Sequence, residues 1–225
     1  MTMMISPETY YEEYLRSKSQ KEVLREIRSL KREINRLKRV LEDDSLEPEV
    51  QMMPSPMTRI KCSREYLEMA KQAYEEAGGT YEPTKAEQKD QAFNESLTSM
   101  KKFVFEIGGF FGGYERRTYT ISGEKVLFDL EHSLYLKPSN LPIYEPFTRE
   151  EFLQGIAELH IGEWKKEYMN PLVLDGTQWS IEIEYEGDHK PIHIYGSNAY
   201  PYNFDDLKEF LEIYEEDTDD EQDQD

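Results

Sequence analysis

The chain is poor in cysteine and histidine and has no long apolar run, and each shortage removes a class of chemistry. Cys62 is the only cysteine among 225 residues. That excludes an intramolecular disulfide framework and any multi-cysteine zinc site, and it fits a reducing compartment. No window approaches the ~20 apolar residues of a membrane span. The opening "MTMMISPETYYEEYL" lacks the basic region and apolar run of a secretory signal. The expectation is a cytoplasmic protein that meets no membrane. Of the four histidines, His189 and His193 have a spacing that chelates zinc on a helix. On a strand the same spacing separates them by ~13 Å, too far for one metal. There is no G-x-S-x-G elbow and no Ser/His/Asp spacing. "GGFFGG" (108–113) lacks the Lys-Ser/Thr and following helix of a phosphate loop. Neither a cofactor nor a metal site is expected.

What is abundant is negative charge. The formal net charge is −20, which disfavours nucleic acid and favours a basic protein partner. The charge is unevenly spread. Residues 16–41 hold ten Lys/Arg and three Glu, whereas the tail 215–225, "EEDTDDEQDQD", holds eight acids and reads as disordered. An aromatic content of 12% with sixteen tyrosines points to a real core.

Within "SQKEVLREIRSLKREINRLKRVLED" the apolar positions are Val23, Ile27, Leu30, Ile34, Leu37 and Leu41, an a/d heptad seam. Ser19 and Glu22 form a capping box at its start. The seam predicts a long N-terminal amphipathic helix with two candidate partners: a second copy, giving a homodimer through 23–41, or, since three heptads is short, the chain's own domain. Lys21, Arg25, Arg28, Arg32, Arg36 and Arg39 fall on the opposite face. Three readings compete for this cationic row: a solvated face, a docking face for an acidic surface, and, less favoured, a grip on a nucleic-acid backbone.

Pro48, Pro54 and Pro56 mark 43–60 as a linker. The expected organisation is therefore a basic helical arm (1–42), the linker, an acidic α+β domain (61–215) and an acidic tail (216–225). Within the domain, "SREYLEMAKQAYEEAGG" reads as a helix capped by Ser63, and Thr84/Glu87 cap a second. Strand-like runs follow at 102–107, 114–121 and 125–136. After a helix at 149–168 come strands at 178–185 and 190–195, then a last helix at 204–215. The expected fold is α+β: a mostly antiparallel sheet of about five strands with helices on one face.

Two stretches carry candidate sites. A Gly187–Asp188 turn would pair Ile183 with Ile192, Ile181 with Ile194, and Glu182 with His193 on the wet face. On the other hairpin, Glu115, Arg117 and His132 share a face near the Gly-rich loop. They are candidates for an anion site or an acid–base pair, set against the simpler reading of a buried structural network. Trp164 would serve in a pocket or, more simply, in the core. The stretch "IYGSNAYPYNFDDLKEF" (194–210) reads as a corner: Asn203 is a helix N-cap, Tyr202 staples onto Leu207, and Ser197, Asn198 and Tyr200 remain to bind a neutral or cationic group.

"DGTQW" (175–179) and "YGSNAYPYNFDDL" (195–207), with "FGGYERRTYT" and "EHSLYL" upstream, resemble an uncharacterised protein family of Gram-positive gut bacteria. The resemblance implies a bacterial cytoplasmic setting and carries over no catalytic residue. Three functions are weighed. The first is a non-catalytic acidic interaction protein that occupies a basic surface of a nucleic-acid-binding partner. The others are an enzyme or small-ligand binder centred on Glu115, Arg117 and His132, and a nucleic-acid binder using the basic helix 19–41.

Overall fold

The computed structural model describes residues 4–43, 53–109, 112–133, 147–173 and 175–213. The acidic tail, residues 44–52 of the 43–60 segment, Leu134 and Leu136 of the third strand-like run, and Tyr214 lie outside those residues. The chain divides into two compact units, Met1–Lys85 and Ala86–Asp225.

The first unit is helical. Ser6 caps α1 (Pro7–Tyr10), which continues into a π turn at Tyr11–Leu15. The Ser19–Glu22 capping box opens α2 (Gln20–Glu42), where Ser19 N–H donates to Glu22 Oε2 at 2.9 Å. The next helix, α3 (Pro56–Glu76), starts earlier than Ser63 suggests. Ser55 is its cap, accepting from Thr58 N–H at 3.2 Å. Pro56 sits in the first turn, where its missing N–H leaves nothing unsatisfied, so this proline begins a helix instead of barring one. Ser63 is buried in the helix interior.

The heptad seam of α2 is consumed inside the chain. Arg59, early in α3, pairs with Glu33. Further along α3, Tyr66 stacks on Tyr10 at 4.2 Å, and the Tyr10 hydroxyl donates to Glu26 at 2.7 Å. The two helices therefore run antiparallel. Val23, Ile27, Ile34 and Leu37 are buried, and Ile60, Leu67, Ala70 and Ala73 of α3 are buried with them. Each large aliphatic is worth about 1.5–3 kcal/mol when removed from water. The expected dimer seam thus has an intramolecular occupant: heptad spacing specifies that a stripe is buried, not which helix buries it.

The second unit is α+β. Its six-stranded sheet has the order β3-β2-β1-β5-β6-β4. β1 (Met100–Gly109), β2 (Gly113–Ser122) and β3 (Lys125–His132) form an antiparallel meander. β5 (Gln178–Tyr185) joins the free side of β1, and β6 (Ile192–Ser197) pairs antiparallel with β5. The sixth strand is β4 (Glu167–Met169), three residues parallel to β6, so the sheet is mixed. Its brevity explains why no period-2 pattern announces it.

Alternation sorts the sheet into two faces. Phe103, Phe105, Tyr119, Trp179, Ile181 and Ile183 point to one side and are buried. α5 (Arg149–Glu158) and α6 (Phe204–Phe210) supply rings to that side. Phe152 lies 5.9 Å from Phe103 and 5.1 Å from Tyr119, and Phe204 lies 4.8 Å from Trp179. The opposite face is charged: Arg116 bridges Glu106 at 3.1 Å and Glu182 at 3.6 Å, and Lys102 meets Glu184 at 3.2 Å. The expected β5–β6 register holds, with Ile183 opposite Ile192 and Glu182 opposite His193. The ladder ends at that Ile pair, so the connection is longer than a two-residue turn. Pro191, which has no N–H to donate, sits where the ladder would continue.

Candidate functional site

α2 carries the cationic row, and its burial pattern sets that row's direction. Because the seam faces α3, Lys21, Arg25, Arg28, Arg32, Arg36 and Arg39 face solvent. From Arg25 to Arg39 the row is about 21 Å long at 1.5 Å per residue. Arg36 is neutralised by Glu33 at 2.9 Å. Arg25, Arg28, Arg32 and Arg39 make no ion pair among the described residues. Arg32 Nε and Arg39 Nε donate back to the carbonyls of Arg28 and Asn35, both at 3.2 Å. These bonds brace the stems and leave the outer guanidinium nitrogens to water. Arg25, Arg28, Lys31 and Arg32 line a cleft of about 490 Å³. Lys31 is anchored by the Tyr81 hydroxyl and lies 4.9 Å from that ring's centre.

Glu115, Arg117 and His132 are brought together as the strand pattern implies. Glu115 is directly opposite His132, and Arg117 is opposite Leu130. Arg117 is 5% exposed. Its Nε donates to Glu115 Oε1, and its Nη1 donates to the Leu211 carbonyl at 2.6 Å. Leu211 is the C-cap of α6, where the last C=O groups lack a partner within the helix. The guanidinium thus clamps the final helix to the sheet. His132 Nε2 is buried with no hydrogen-bond partner among the described residues.

The 194–210 stretch is a fastened corner. Trp179 Nε1–H donates to the Ala199 carbonyl at 2.9 Å. Asn203 is 4% exposed and does not cap α6 with its side chain. It accepts from Trp164 Nε1–H at 3.0 Å and donates to the Leu159 carbonyl at 2.7 Å. Asn203 occupies the N-cap position of α6 as the local pattern implies, but its side chain is spent on a tertiary bridge. Trp164, 2% exposed, belongs to the core. Of the three residues expected to remain for binding, Tyr200 packs against Phe204, the tilted rings 4.8 Å apart. Asn198 takes a left-handed φ of 51° and donates to the Val173 carbonyl at 3.3 Å. Ser197 alone lines an open concavity. It lies with Glu106, Tyr114, Gln178, His193 and Tyr195 around about 380 Å³ on the charged face of the sheet.

One constellation escapes sequence reading. The helix expected over 149–168 stops at Glu158, His160 takes a left-handed conformation (φ 49°), and a 3₁₀ turn covers Ile161–Glu163. This places His160 Nδ1 2.8 Å from Asp90 Oδ2 on α4 (Lys85–Ser96), with Glu163 alongside. Asp90 and His160 are seventy positions apart in sequence, so no spacing could signal the pairing.

The units differ sharply in charge. Met1–Lys85 carries fifteen Lys/Arg and sixteen Asp/Glu, whereas Ala86–Asp225 carries twelve and thirty-one. Among the described residues no helix is long and apolar enough to cross a membrane. Compared with known proteins, the chain matches no family model, no curated protein and no solved structure.

Proposed function

We propose that the chain is a non-catalytic interaction protein whose acidic α+β unit engages a basic protein surface, such as the nucleic-acid-binding face of a partner. The observation that carries this reading is the segregation of charge. Nearly all of the excess negative charge resides in the second unit, while the first is nearly balanced. Such a field accelerates encounter with a cationic partner and repels polyphosphates. The involvement of Arg117 in holding α6 adds support, because two of the three residues that would anchor an enzymatic reading, Glu115 and Arg117, are engaged with each other and with the end of that helix.

A second reading has its own observation. The guanidinium groups of Arg25, Arg28 and Arg32, unpaired among the described residues, form a face able to hold an anionic polymer. The two readings separate in one experiment on the full chain. Labelled duplex DNA, single-stranded RNA and a basic DNA-binding domain are titrated at 50 to 200 mM salt. The first reading expects the basic domain to bind, DNA to compete it off, and neither nucleic acid to bind alone. Salt-steep nucleic-acid binding that disappears in Arg25→Glu/Arg28→Glu/Arg32→Glu would overturn it in favour of the second. A pull-down from the native host with mass spectrometry then identifies the partner.

A further inference from the structure

Asp90, His160 and Glu163 lie outside both surfaces just described, and nothing in the charge argument uses them. One ligand-capable atom from each, two carboxylates and an imidazole, lies within 4.8 Å of the others. A divalent ion at ~2.0–2.2 Å from nitrogen and oxygen donors needs its ligands within roughly 4.4 Å of one another. The side chains would therefore close by a few tenths of an ångström.

Three features separate this cluster from an ordinary surface ion pair. Asp90 is only 9% exposed, and its Oδ1 is buried with no hydrogen-bond partner among the described residues, although Oδ2 is held by His160. A buried carboxylate oxygen without a donor is costly, and such atoms commonly mark a place for an ion or water. Next, the backbone is shaped around that oxygen. A Cβ on Gly162 would fall 2.7 Å from Asp90 Oδ1 and 2.7 Å from Asp90 Cα, so only glycine lets the turn lie against the carboxylate. Finally, His160 holds a left-handed backbone, which is uncommon outside glycine and carries a small energetic cost. That conformation brings His160 and Glu163 to the same side of the turn.

Lys89 donates to the Trp164 carbonyl at 2.7 Å beside the cluster, and its ammonium is attracted by Asp90 and Glu163, so a bound ion would share their negative charge with it. The Tyr202 hydroxyl donates a long hydrogen bond to Glu163 Oε2 at 3.4 Å, the kind of outer partner that metal-ligating carboxylates have. An imidazole with two carboxylates suits zinc or a similar transition ion better than calcium or magnesium, which prefer all-oxygen shells.

We propose that Asp90, His160 and Glu163 form a binding site for a divalent transition-metal ion, Zn²⁺ being the best match, with a fourth position open to water. The site joins α4 to the turn after α5, so its first consequence is to tie those elements together. It does not depend on which partner the protein binds.

The test uses the full chain, stripped with a chelator and titrated with Zn²⁺ by calorimetry. Bound metal is counted after gel filtration, and Co²⁺ absorption serves as an independent reporter of coordination. One ion per chain and a higher thermal midpoint in its presence are expected. Glu163→Gln and His160→Asn should each weaken binding at least tenfold. Asparagine tolerates the left-handed backbone, and circular dichroism checks that both variants fold. His189→Ala/His193→Ala should leave the titration unchanged. The proposal is overturned by less than one-tenth of an ion per chain. It is equally overturned by binding that survives both site variants, or that disappears with His189 and His193.

Discussion

Arg117→Met tests whether the buried guanidinium is a structural clamp or a functional group. Methionine keeps much of the volume and removes the charge and the donors. At least two interactions of consequence disappear. A hydrogen bond from a charged donor to the Leu211 carbonyl, 2.6 Å long, is worth about 1.5–3 kcal/mol. The pair with Glu115, whose side chain is 25% exposed, is partly screened by solvent and contributes about 1 kcal/mol or less. The expected loss is about 3 kcal/mol, confined to the α+β unit. Both tryptophans, Trp164 and Trp179, lie in that unit. Urea unfolding followed by tryptophan fluorescence therefore reads it selectively, while α2 and α3 contribute strongly to circular dichroism at 222 nm. Arg117→Lys should recover about 1 kcal/mol by keeping the charge, because a single ammonium cannot serve both Glu115 and Leu211. A loss below about 1 kcal/mol in Arg117→Met would refute the clamp. So would a gain in stability, which is the usual result when a strained functional residue is removed.

Two further outcomes follow from the same geometry. Leu37→Ala removes a fully buried seam residue and should cost the helical unit about 2–5 kcal/mol. Light scattering should show an unchanged monomer mass before and after, since α3 occupies the seam; a dimer dissociated by this substitution would refute that assignment. The second concerns acid. The Thr148 hydroxyl and backbone N–H donate to Glu151 at 2.7 and 2.9 Å and hold its carboxyl below the ordinary value of 4.5. A depressed folded pKa means the box contributes fully above 4.5 and is lost as pH falls through the lower folded value. Urea midpoints between pH 6 and 3 should fall less in Glu151→Gln than in the parent. Parallel curves would show that the box has no part in the acid sensitivity.

Much of the fold is legible in the order of residues. The α2 seam, the Ser19–Glu22 and Thr148–Glu151 boxes, the meander and the β5–β6 register all follow from spacing. These features are local, or depend on a period that neighbouring strands share. Even the meeting of Glu115 with His132 is a matter of counting across one turn. By contrast, β4 is three residues long, and α5 ends where Asn203, a distant residue, takes the Leu159 carbonyl.

The sequence by itself determined which faces are apolar, which are cationic, and that acid is concentrated toward the second unit. Only the tertiary structure decided what those faces meet. It set α3 against the seam that a second copy could have filled, and it gave Arg117 to the end of α6. It also brought Asp90 to His160 across seventy positions. The reason is physical: periodicity records that a side chain is to be buried, whereas its partner depends on how distant segments share a limited interior.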